Sequence, residues 1–134
     1  MGTKAPPPPR PLGVSNDEAV ELCRQWMVYL GAADSIATEG DSRQACDLYS
    51  SRFLAWVNNR GGNLDIELVK RAALVSAADG RRALIFIAGG IYPDAQDGAD
   101  GLGIAILRFD PFSGDLDGAN LVGRRLRDTG LSSN

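Results

Sequence analysis

The chain has 134 residues, 44% of them apolar, with a formal net charge of -3 and a pI near 4.8. That length fits one domain with one core, and the acidic balance argues against attachment to nucleic acid by bulk charge alone. The absence of histidine excludes Ser-His-Asp and Cys-His nucleophile systems, HExxH metalloprotease sites and the usual zinc-finger ligand sets, which leaves carboxylate, lysine, tyrosine or cysteine chemistry.

Residues 1–13 carry Pro6-Pro7-Pro8-Pro9 and then Arg10-Pro11. This composition favours polyproline II and cannot build a core, so the segment reads as a flexible arm. A docking peptide for an aromatic-lined groove is its functional alternative. Ser15 and Glu18 form an S-x-x-E capping box, and Ala19, Leu22, Cys23, Trp26, Met27 and Leu30 recur at helical spacing before the stop at Gly31. A short strand is expected near Ile36, then strands over 45–50 and 52–58, with a turn at Asn59-Arg60-Gly61-Gly62-Asn63. A second helix is expected over 64–78, ending at Gly80. The run 83–88 is apolar without alternation, as in a strand covered on both faces. A short helix is expected over 94–100, a buried strand over 104–109 stopped by Asp110-Pro111, and a last helix over 119–127. The closing strand-helix-strand-helix-strand order favours parallel pairing. The expected division is an arm at 1–13, a domain at 14–127 and a tail at 128–134.

Cys23 and Cys46 are too few for a disulfide scaffold and read as reduced core thiols. No apolar run approaches the roughly 18 residues that a bilayer span needs, and the N-terminus lacks the order of a secretory signal. The expected location is the cytoplasm, with no membrane partner.

Four segments in order resemble one known family. They are Glu18-Ala19-Val20-Glu21-Leu22-Cys23-Arg24-Gln25-Trp26-Met27 with Leu30-Gly31, Asp47-Leu48-Tyr49-Ser50-Ser51-Arg52, residues 84–89, and Gly103-Ile104-Ala105-Ile106. Together, over about 15–117, they resemble the Mrr-type branch of the PD-(D/E)XK nucleases. The resemblance implies an α/β restriction-endonuclease-like fold, a three-layer sandwich with a mixed central sheet flanked by helices. It also implies a site begun by an Asp and completed by Glu or Gln with Lys two residues later. Carboxylates there hold a divalent ion that activates water, and the lysine assists the developing charge. Residues i and i+2 of a strand share a face, so both reach that ion.

Asp47 matches the first position of this pattern. Trp56 stands where Glu or Gln is expected, Asn58 where Lys is expected, and Gln44-Ala45 where the family commonly has Gly-Gly. An indole offers no ligand oxygen and Asn58 no positive charge. The resemblance therefore points to a degenerate nuclease domain without a cofactor, acting as a DNA-binding or protein-interaction module. The alternative is an active Mg2+- or Mn2+-dependent endonuclease with relocated groups, Glu18 or Glu21 joining Asp47 at the metal. A homodimer would fit either reading.

Arg60, Lys70 and Arg82 are the cations expected to meet nucleic acid. Asp94, Asp97 and Asp100 are spaced by three instead of the two of an EF-hand loop. Gly101-x-Gly103 precedes a strand and is no dinucleotide fingerprint.

Overall fold

A computed structural model describes residues 6–8, 13, 15–39, 45–59 and 62–131. Helix α1, Asn16–Tyr29, starts where the capping box places it. Ser15 Oγ accepts from the Glu18 amide at 3.2 Å, and a Glu18 carboxylate oxygen accepts from the Ser15 amide at 2.8 Å. Strands β1 (Ile36–Ala37), β2 (Leu48–Tyr49) and β3 (Phe53–Asn58) follow, then the two-residue β4 (Asn63–Leu64) and helix α2 (Ile66–Asp79). The chain continues through β5 (Arg82–Ile87), β6 (Gly90–Ile91), α3 (Pro93–Leu102), β7 (Ala105–Phe109), β8 (Leu116–Gly118) and α4 (Leu121–Thr129).

Six of these strands form one mixed sheet in the order β1-β2-β3-β5-β7-β8, with β3, β5 and β7 parallel and the outer pairs antiparallel. Strands β4 and β6 make a separate parallel pair beyond the ends of β3 and β5. The fold is thus mixed α/β, with four helices and a six-stranded mixed sheet among the described residues.

Side-chain alternation along the strands builds two cores. Phe53, Ala55, Leu84, Phe86, Ala105 and Leu107 meet α1 and Leu126 of α4 on one face. Leu54, Trp56, Ile85, Ile87 and Ile106 meet α2 and α3 on the other. Both parallel crossovers step the same way across the sheet, and right-handed crossovers then put α2 and α3 on one face together.

Several boundaries differ from the sequence reading. Strand β2 is two residues long, because a turn follows at once in which Ser50 Oγ accepts the Phe53 amide at 3.1 Å. Leu64 lies in β4 and Asp65 caps α2, its carboxylate accepting from the Glu67 and Leu68 amides. Helix α3 reaches Leu102 despite Gly98 and Gly101. Residues 128–131, read from sequence as tail, include the end of α4 and the buried Leu131, whose amide donates to the Leu30 carbonyl at 2.7 Å. Arg60 and most of the arm lie outside the described residues.

Candidate functional site

The parallel strands end together at Asn58, Ile87 and Arg108. Open α/β sheets tend to bind ligands beyond the carboxyl ends of such strands. At that end of β3 lies a cleft of about 500 Å³, walled by Asp47, Trp56, Asn58, Asn63, Asp65 and Arg71 among others. The i, i+2 relation of Trp56 and Asn58 sets both on the α2 side of β3, and Asp47 joins them from just before β2. The three positions picked out in the sequence therefore share one cavity.

Asp47 Oδ2 accepts the Val57 amide at 2.7 Å, and the Asp47 amide donates to Ala55 at 2.9 Å. The residue ties β2 to β3 where the ladder between them stops. Trp56 is 4% exposed and packs into the α2/α3 core, its indole N–H without a hydrogen-bond partner among the described residues. An unpaired buried donor costs about 1–3 kcal/mol. Beside it, Asn58 brings a neutral amide.

On the α2 wall the sequence reading missed three lining residues. Asp65, Leu68 and Arg71 recur every three positions across the first turns of α2, which sets them on one face, towards the cleft. An Asp immediately before an apolar-periodic run was the available signal for that helix start. Nothing local marked Asn63, because β4 exists only by pairing with β6. Arg71 brings a positive charge to this wall, and no hydrogen bond or ion pair engages its side chain among the described residues.

The other named residues do not converge there. Glu18 closes the capping box, and Glu21 binds Arg24 at 2.7 Å, both on α1 across the sheet from α2. Lys70 is exposed and lies 4.0 Å from Glu67. Arg82 opens β5 at the far end of the sheet, with its guanidinium over the Phe53 ring.

The described residues offer a divalent ion few open ligands. No three His, Cys, Asp or Glu side chains among them gather into a metal-holding group. Of the two carboxylates on the cleft wall, Asp47 has an oxygen bound to the Val57 amide and Asp65 caps α2.

No helix among the described residues is long and apolar enough to cross a membrane. No family model matches this chain, and neither a curated protein nor a solved structure matches it.

Proposed function

We propose that this chain is a restriction-endonuclease-like domain of the PD-(D/E)XK kind that has lost cleavage and acts in the cytoplasm as a binding module for DNA or a protein partner. The observation that carries the reading is Trp56, a buried indole in the cleft beside Asp47, at the position where the motif needs a carboxylate or amide oxygen. Asn58 removes the lysine's charge from the same wall. Arg71 gives the cleft a cation able to meet a phosphate or a carboxylate. The order helix, three antiparallel strands, crossover helix and parallel strand suits the same fold.

Incubating the protein with supercoiled and single-stranded DNA and Mg2+ or Mn2+, with Asp47→Ala alongside, tests the loss of cleavage. The expected result is intact DNA with both proteins. Cutting that disappears in Asp47→Ala would overturn the reading and establish an active nuclease with relocated groups, Asp65 being the next carboxylate to mutate. A gel-shift titration at several salt concentrations tests DNA as the ligand. Weakening by Arg71→Ala is the expected result, and affinity no better than that of an inert acidic protein would leave only the protein partner.

A further inference from the structure

The cleft at the end of β3 holds unsatisfied donors beside engaged acceptors. Arg71 lines it from α2, exposed, and no hydrogen bond or ion pair holds its guanidinium among the described residues. Trp56, on the wall that β3 provides, keeps its indole N–H buried without a hydrogen-bond partner. The two carboxylates of the wall are turned to the chain's own amides. Asp47 Oδ2 accepts from Val57, and Asp65 Oδ1 accepts from Glu67 at 3.1 Å and from Leu68 at 3.4 Å. Buried donors without partners are rare in folded chains, and a cavity that collects free donors suits a ligand that brings acceptors.

Charge decides which acceptor. Among the described wall residues two aspartates stand with one arginine, and the whole chain carries -3. A group with several negative charges, or a run of phosphodiesters, would meet net repulsion there. A single carboxylate can pair with the Arg71 guanidinium through two parallel hydrogen bonds at less cost. The half-buried Val57 and Leu68 give the same cavity an apolar side, and its volume of about 500 Å³ suits a small ligand or the end of a peptide. A polypeptide C-terminus joins these features, because its carboxylate sits on the carbon that bears the last side chain. An Asp or Glu side chain has no apolar group beside its carboxylate. We propose that the cleft captures the C-terminal carboxylate of a protein partner ending in an aliphatic residue, with Arg71 as its anchor and Val57 and Leu68 against the terminal side chain. This takes the protein-partner branch of the proposed function and rests on it.

The test uses the full chain and two short N-acetylated peptides of one sequence ending in leucine, one with a free C-terminal carboxylate and one amidated. In an NMR titration the free acid is expected to move the Trp56 indole signal and to leave that of Trp26, in the opposite core, in place. The amide should bind at least about tenfold more weakly, and Arg71→Ala should impose a similar loss on the acid and none on the amide. Arg71 is exposed, so the variant should keep the wild-type urea midpoint. Lys70→Ala, which removes the neighbouring cation outside the cleft wall, should change nothing. Equal binding of acid and amide would overturn the carboxylate anchor, and undiminished binding of the acid to Arg71→Ala would overturn the role of Arg71. Failure of the acid to bind would overturn the inference and leave the loss of cleavage to the DNA incubation with Asp47→Ala. Displacement of the acid by a single-stranded oligonucleotide that itself needs Arg71 would give the cleft to DNA, so that the inference falls while the binding-module reading stands.

Discussion

Asn120 is fully buried, and its side chain makes three hydrogen bonds. Its Oδ1 accepts the amides of Ile106 at 2.9 Å and Gly123 at 2.7 Å, and its Nδ2 donates to the Ile104 carbonyl at 2.8 Å. One side chain thus caps α4 and completes the start of β7, where β8 does not yet pair. Asn120→Ala leaves three buried backbone groups without partners and should cost about 3 kcal/mol in urea unfolding. Asn120→Asp keeps the two acceptor bonds but sets a carboxylate against the Ile104 carbonyl, so it should also destabilise. A wild-type midpoint for Asn120→Asp would show that the donor bond contributes nothing. Acid and base should act through other residues. The Ser51 amide holds Asp34 below the usual carboxylate range, the Arg81 guanidinium holds Asp79 there, and the Ser113 and Phe112 amides hold Asp110 there. Depressed carboxyls contribute stability above their unfolded pKa and lose it as pH falls through the folded one, so the urea midpoint should drop below about pH 4. Burial pushes the Cys23 and Cys46 thiols up, with the Asp47 charge adding to it. Raised thiols have the opposite sign, and their share of stability is lost as pH climbs above about 8.5. A midpoint that stays level from pH 7 to pH 3 would contradict the carboxylate account.

At the scale of elements, α4 shows how closely two pieces of backbone approach in this fold. A Cβ on Gly123 would run into the Ile106 carbonyl oxygen, and one on Gly118 into the Arg124 amide. Gly123→Ala should therefore destabilise by about 2–3 kcal/mol although alanine is the better helix former, and thermal unfolding would show it. A rise in Tm would mean that α4 moves aside freely. The same contrast explains what the sequence disclosed. Helix α1 was legible because its capping box and apolar stripe are local signals. Strands β5 and β7 were legible because burial on both faces leaves an unbroken apolar run. Strand β8, with the sequence Leu-Asp-Gly, carries no such run and exists through its ladder to β7. Within the cleft, Asp47, Trp56 and Asn58 could be read from strand spacing. Arg71 and Asn63 could not, since helix crossover and nonlocal pairing bring them there.

Across the whole molecule, the sheet is shared property of two cores. Phe53 and Ala55 belong to one face and Leu54 and Trp56 to the other, all within six consecutive residues of β3. Neither face can open without exposing strands that the other packs against, so unfolding should be a single transition. The protein carries its own reporters of this coupling. Its two tryptophans sit one in each core, Trp26 edge-on to Tyr29 at 5.4 Å with the Arg127 guanidinium 4.8 Å from its ring centre, and Trp56 beside the cleft. Trp26→Phe leaves fluorescence from the α2/α3 face alone, and Trp56→Phe from the α1/α4 face alone. Each substitution will move the midpoint, because Trp26→Phe removes the bond to Gly114 and Trp56→Phe trims a packed indole. Within each variant, however, the fluorescence midpoint in urea should coincide with that of far-UV circular dichroism. A fluorescence transition that precedes the loss of secondary structure in the Trp26→Phe protein would mean that the cleft side opens alone. The candidate site would then sit on a separately melting face, and its binding free energy would include the cost of closing that face.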